Sequence, residues 1–412
     1  MRAKLYIKTL FFAILCFGMN AVFQPLMAQK VGVVMSGGGA SGLAHIGVLK
    51  ALEENNIPIN CSTGTSIGSI IGGLYSSGYS PAEIEEMVKE QAFADLTKGE
   101  MSPKFGYYVH KRDDYASWVK FKLNLNNPFL TNLPTNFINS VPIDFYLMET
   151  FAGANASSNY NFDSLFVPFR CVASDIEKKK SIVFRKGDMP SALRASMSYP
   201  FYLRPISIDS ALLFDGGLYN NFPSNVMYDE LYPDFIIGSS VTNNSELPND
   251  ENLFLQLRNM LMSKSDFDGI CDNDVIIQPW ADVGLFNFES VKRLIDSGYV
   301  ATMRAMPQIK SRIVNYENSY NLAQKRKTFR EKASKDKIVY DTVTISSRDK
   351  KLSYFVEKSI VRKDEPLTLK RLKKQYFRMM ADEKIKSAYP TTKLDTATGK
   401  YTLHLNVKRE KH

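Results

Sequence analysis

Two groups of residues near the start of the chain have the types and spacing for acyl-transfer chemistry. The run Gly37, Gly38, Gly39, followed by Gly42, offers consecutive backbone N–H groups on residues that can enter conformations closed to other side chains. Such amides can converge on one negatively charged oxygen at a helix start. Ser66 stands in Gly64-Thr65-Ser66-Ile67-Gly68, the G-x-S-x-G spacing that turns a strand sharply into a helix and leaves the hydroxyl exposed at the apex. Together they suggest a nucleophile beside an oxyanion hole. A serine hydroxyl is weak without a base, and the four histidines, His45, His110, His404 and His412, do not have the placement of a hydrolase triad. Asp215 is better placed, after the apolar run Leu212-Leu213-Phe214 and before Gly216-Gly217. The expected unit is therefore Ser66 with Asp215, the carboxylate itself accepting the hydroxyl proton, its pKa raised by apolar neighbours. Such chemistry needs no metal and no nucleotide cofactor.

A strand-helix-strand unit must carry these groups. Val31–Met35 reads as a buried strand. Residues 43–55 read as an amphipathic helix with Leu43, Ile46, Leu49 and Leu52 on one face, and a second short strand breaks at 64–68. Consecutive parallel strands end on one edge of a sheet, which brings loop and serine to one crevice. The glycine spacing also fits a dinucleotide fingerprint, but that pattern wants an acidic residue about twenty positions on. Ile59, Asn60, Cys61, Ser62 and Thr63 stand there instead. His45 reads as a structural, hydrogen-bonded histidine. Further along, a helix is expected at 67–77 and another at 81–92, started by Ser80-Pro81-Ala82-Glu83. Residues 101–160 read as irregular and rich in aromatics, either core or a lid over an acyl-chain pocket. Strands at 167–176 and 181–184 flank a lysine turn, and a helix spans 190–197. Strands follow at 212–214 and 235–241, with helices at 251–263 and 289–312.

A chain of 412 residues exceeds a single core, and 44% hydrophobic with 23% charged residues describes a globular protein. Arg2, Lys4 and Lys8 precede the apolar run Leu10–Phe17, and Leu26-Met27-Ala28 offers a cleavage site. Residues 1–28 thus read as a signal peptide whose apolar run is too short for a comfortable membrane span, and Ala13-Ile14-Leu15 before Cys16 lacks the small residue of a lipoprotein signal, so export without lipidation is expected. Cys61, Cys171 and Cys271 are too few and too scattered for a disulfide framework and read as buried thiols. The net charge of +9 is concentrated in the tail, which from Asn321 onward carries 25 Lys and Arg against 11 Asp and Glu. That face suits an anionic membrane surface or an acidic partner, and in an exported chain nucleic acid is the poorest candidate.

Four stretches, in order, resemble the patatin-like phospholipase family: GGGASGLAHIGVLKALEE (37–54), GTSIG (64–68), RASMSYP (194–200) and DGGLYNNFP (215–223). The resemblance covers about residues 30–310, with Gly64, Gly68, Gly216 and Gly217 as motif support. It implies a three-layer α/β/α fold around a mostly parallel sheet and a Ser66–Asp215 dyad. It also implies an oxyanion hole from the Gly37, Gly38 and Gly39 amides and hydrolysis of acyl esters of membrane phospholipids. One departure is Ser41, where the family commonly has Arg or Lys. The tail resembles a polypeptide-transport-associated (POTRA) domain, with the order strand 338–345, helices 352–361 and 368–386, strands 389–394 and 401–407. In relatives that pair the two modules an outer-membrane β-barrel usually follows. The expected organisation is a hydrolase domain at 29–320, a basic linker at 321–336 and a POTRA-like domain at 337–412. The expected place is the periplasm or outer membrane of a Gram-negative bacterium, with a barrel or assembly partner, or a second copy of the chain, bound by the module. The rival reading, favoured by Ser41, is a non-catalytic interaction scaffold that keeps a hydrolase fold.

Overall fold

The uninterrupted apolar run Val31–Met35 forms β1 at the centre of the main sheet in the computed structural model, which describes residues 29–101, 136–242, 256, 259–262, 274–279, 283–314, 316–361, 365–382 and 384–410. After β1 come a 3₁₀ turn (Gly39–Leu43), α1 (Ala44–Glu54), β2 (Cys61–Thr65), α2 (Ile67–Ser76), α3 (Pro81–Lys89), α4 (Gln91–Lys98) and α5 (Val141–Ser157). Next are β3 (Phe169–Asp175), β4 (Lys180–Phe184), α6 (Met189–Ser196), β5 (Ile206–Ile208), β6 (Ala211–Asp215), α7 (Ser224–Leu231), β7 (Phe235–Ser239), β8 (Val275–Ile277), α8 (Val291–Lys310) and α9 (Ser319–Lys332). The chain continues with β9 (Val339–Ser346), α10 (Lys350–Ile360), β10 (Leu367–Thr368), α11 (Leu369–Met380), β11 (Ile385–Asp395) and β12 (Lys400–Arg409).

The main sheet runs β5-β6-β3-β2-β1-β7-β8, with β4 also paired to β3. Strands β3, β2, β1, β7 and β8 are parallel, and β4, β5 and β6 make the antiparallel pairs. Alternation along β1 builds the layers. Val31, Val33 and Met35 point into the large core with Leu43, Ile46, Leu49, Ile71 and Leu294, while Val34 points to the other face with Met227 and Leu231 of α7. The result is an α/β/α sandwich with a mostly parallel sheet.

The C-terminal residues build a second sheet, β10-β9-β12-β11, covered by α10 and α11 through Val356, Ile360, Leu372 and Tyr376.

Three expectations need correction. Residues 141–157, read as irregular, form a 17-residue helix. Its Ile143, Leu147 and Phe151 lie in the main core, whereas Val141, Phe145, Met148 and Ala152 lie in the C-terminal core. A helix buried on both sides has no polar stripe to mark it. The segment 321–336, read as a linker, is mostly α9, held on the main sheet's layers by the Arg326–Glu53 ion pair and by the Arg326 guanidinium over the Tyr75 and Phe166 rings, 5.5 and 5.1 Å from their centroids. The helix expected at 81–92 ends at Lys89, because Glu90 is extended before α4 begins. Strands β5 and β8, three residues each, were too short to read from pattern. Cys61 and Cys171 are free and buried, and burial pushes the Cys61 thiol up to about 12. The proposed signal peptide, the 102–135 part of the aromatic stretch, His110, His412, Cys271 and most of the helix expected at 251–263 lie outside the described residues. No helix among the described residues is long and apolar enough to cross a membrane.

Candidate active site

Strand β2 enters α2 through Ser66 alone, which sits at φ 55°, ψ −126°. A non-glycine residue there carries ~1–3 kcal/mol of strain and persists only where its surroundings hold it. Here its N–H donates to Ser196 Oγ at 3.0 Å, and its carbonyl accepts from Ser69 Oγ at 2.6 Å. The turn is tight because α2 starts against the end of β1. A Cβ on Gly68 would stand 2.4 Å from the Met35 carbonyl oxygen and 2.5 Å from that of Ser36. Gly64 faces the Gly68 and Ser69 backbone at the same crossing.

Asp215 reaches Ser66 through the sheet register. Strand β3 outruns β2, whose last pair is Thr65 with Val172. Because β4 pairs with β3 along 171–175, β2 and β6 must share the other side of β3. Strand β6 returns antiparallel along the overhang and ends with Asp215 opposite Ala173, one residue beyond the end of β2. Ser66 Oγ donates to Asp215 Oδ2 at 2.7 Å, and Gly217 N–H donates to Oδ1 at 2.8 Å. Gly216 packs against the Val172 carbonyl. The carboxyl is fully buried. Burial pushes its pKa up to about 7, against the opposing pull of the Ser66 and Gly217 hydrogen bonds.

The glycine loop lies against the serine: a Cβ on Gly37 would be 3.2 Å from Ser66 Cβ. Its three amides are not equivalent, however. Gly37 N–H donates to the Asn221 carbonyl at 3.0 Å, so this member of the expected oxyanion set holds the loop in place instead. The Gly38 and Gly39 N–H groups have no acceptor among the described residues. Gly39 has φ +59°, and a Cβ there would meet the Leu285 carbonyl at 2.1 Å, so glycine is required by conformation and by space. Ser36 anchors the other end, its N–H donating to Ser239 O and its Oγ accepting from Val241 N–H, both at 3.0 Å. His45 completes that anchor. Burial lowers its pKa to about 4, so the ring is neutral, with Nε2 donating to the Ser36 carbonyl at 2.9 Å and Nδ1 accepting from Ser239 Oγ at 2.7 Å.

Three further groups were quoted within motifs but not given roles by the sequence. Ser196 supports the elbow and donates to Val172 O at 2.6 Å. The Ser198 carbonyl accepts from Asp215 N–H at 3.0 Å. Fully buried Arg194 binds Ser198 Oγ at 2.6 Å and Asp144 of α5 at 2.7 Å. Buried polar residues crowded at one helix end were the available signal. Ser41 is itself buried in the 3₁₀ turn. Among the described residues no cluster of three or more His, Cys, Asp or Glu is arranged to hold a metal ion.

An α/β/α sandwich with a strained serine at a strand-helix elbow and a buried carboxylate on its hydroxyl is the architecture of an ester-hydrolase class. The family model for patatin-like phospholipases matches residues 33–228, and that segment is a patatin-like phospholipase domain. Among relatives, a patatin-like phospholipase domain-containing protein of Caenorhabditis elegans is 32% identical over 206 residues, covering 49% of this chain and 13% of that protein. A lysophospholipase NTE1 of Kluyveromyces lactis is 29% identical over 213 residues, covering 50% of this chain and 12% of that protein. The chain thus spans a small fraction of the length of these curated relatives. Among solved structures, VipD from Legionella pneumophila aligns with a TM-score of 0.40 and 10% identity over 81% of this chain and 74% of that one.

Proposed function

We propose that the chain is a serine lipid acyl hydrolase of the phospholipase A or lysophospholipase type. The observation that carries the proposal is the 2.7 Å hydrogen bond from Ser66 Oγ to a fully buried Asp215 whose pKa lies at about 7. A base with that pKa is half ionised at neutral pH and strong enough to take the hydroxyl proton as Ser66 attacks an ester carbonyl. Asp215 then gives that proton to the leaving alcohol and takes another from the water that releases the acyl group. The Gly38 and Gly39 amides stabilise the tetrahedral oxyanion. Such a donor contributes ~2.7–4 kcal/mol, and with Ser41 in the turn these neutral donors act without a basic side chain at that position. The patatin-like domain and the relatives named as lysophospholipases support membrane phospholipids as the substrate class.

The same reading takes the chain as exported to the periplasm or outer membrane of a Gram-negative bacterium. Its C-terminal α/β unit is then a POTRA-like module that offers a basic face to a barrel or assembly partner. The charge of residues 321–412 and an order of strand, helix, helix, strand, strand, interrupted by the two-residue β10, support that part.

The test of the hydrolase is Ser66→Ala. Wild-type protein is expected to react with a fluorophosphonate probe, to cleave short-chain p-nitrophenyl esters and to release fatty acid from phospholipid vesicles. The variant is expected to lose labelling and at least about a thousandfold in turnover. Equal ester cleavage by the two proteins would refute the assignment.

A further inference from the structure

Helix α6 touches both members of the Ser66–Asp215 pair, and its other end is held from outside the patatin-like domain. At its C-terminal end the Ser196 hydroxyl receives the Ser66 N–H and the Ser198 carbonyl receives the Asp215 N–H. At its N-terminal end Asp188 caps the helix, accepting from Ser191 N–H at 3.0 Å and from the Ser191 hydroxyl. With its one proton committed to that carboxylate, the Ser191 hydroxyl accepts from a second group, the phenol of Tyr389 at 3.0 Å. Tyr389 lies on β11 in the C-terminal sheet. An eight-residue helix spans ~12 Å and is stiff along its axis, so α6 is a short rod between that sheet and the candidate dyad.

A parallel connection fixes the position of the tyrosine. Fully buried Tyr376 donates to the carbonyl of Ala388, next to Tyr389, at 2.6 Å. The Tyr376 ring lies 4.8 Å from that of Phe145 on α5, and Lys373 pairs with Glu149 of α5 at 2.7 Å. Helix α5 in turn holds Arg194 of α6 through Asp144. The Leu394 N–H donates to Tyr160 Oη just beyond α5. Both helices that brace the dyad are therefore clamped by β11 and α11.

We infer that Tyr389 is a positioning residue for Ser66 and Asp215, acting through Ser191 and α6. The C-terminal unit is thereby part of the machinery that sets the nucleophile's geometry. This deepens the proposed hydrolase reading and rests on it for its kinetic readout alone; the structural readout is independent.

The experiment compares full-length Tyr389→Phe, Ser191→Ala and the double variant with wild type, and uses Tyr354→Phe, an exposed tyrosine of α10, as the control. Loss of one hydrogen bond of ~1 kcal/mol corresponds to a change of about fivefold. Tyr389→Phe is expected to lower kcat and the fluorophosphonate labelling rate about fivefold with KM unchanged. It should also speed amide exchange in peptides covering residues 64–68 and 213–217 but not in β7. The double variant should be no worse than the worse single one, and the control should match wild type. If Tyr389→Phe does not fold, Ser191→Ala carries the same comparison from the other side of the contact. Unchanged exchange at both segments, or faster exchange spread equally into β7, would overturn the inference. A wild-type protein that neither labels nor hydrolyses would instead sink the hydrolase reading, and the exchange comparison would still decide the positioning role.

Discussion

Asp215 is asked to do two things that pull against each other. As the proposed base it must be ionised, so the acid limb of the activity profile is expected to rise through about pH 7. For stability the sign is opposite. The folded pKa lies above the unfolded value of about 3.9, so between these values the folded state keeps a proton that the unfolded state has released. Its stability therefore falls as pH rises from about 4 to 7 and stays lower above that. Asp215→Asn is accordingly expected to be inactive yet more stable than wild type at pH 8, by on the order of a few kcal/mol, with the gain vanishing near pH 3.5. Thermal melts at the two pH values, beside an ester assay, check both parts. Ser66 and Asp215 were legible because glycines frame each one at a strand end. The engagement of the Gly37 amide was not, since its acceptor, the Asn221 carbonyl, belongs to a distant loop whose approach no local pattern encodes.

Among the elements, the β2-α2 elbow tolerates least. A methyl group at position 68 would collide with backbone oxygens of Met35 and Ser36, which cannot swing aside as a side chain can. Gly68→Ala is expected to destabilise the fold by ~3 kcal/mol or more, read as a lower urea midpoint, with loss of probe labelling in whatever remains folded. Elements whose apolar residues recur at helical spacing or run unbroken were readable. Helix α1 shows its apolar stripe, and β1 and β7 show their apolar runs. Helix α5 was hidden by burial on two faces. Helix α9 was hidden by the opposite condition, because none of its residues is fully buried and it is held by ion pairs and by Arg326 and Arg330 over aromatic rings.

For the whole molecule, the boundary suggested by composition does not coincide with a boundary in packing. The charge shift near residue 321 and the change of strand pattern near 337 mark two units, but the second core is completed by Val141, Phe145, Met148 and Ala152 from α5. Removing residues 338–412 would present those side chains to water, a contiguous apolar face of the kind that drives association. A chain ending at Lys337 is therefore expected to aggregate or elute as large species in size-exclusion chromatography, with specific esterase activity well below that of the full chain. A soluble, fully active fragment would show that the shared core is dispensable.

The way β6 doubles back along β3 has a consequence for the life of the polypeptide before it is folded. The hydroxyl and its base sit on strands that meet only after β3 has paired with both neighbours, so no local stretch of nascent chain can form the couple. A hydrolase of the proposed kind would thus have no assembled nucleophile for as long as its chain is extended, and would gain one only when the sheet closes.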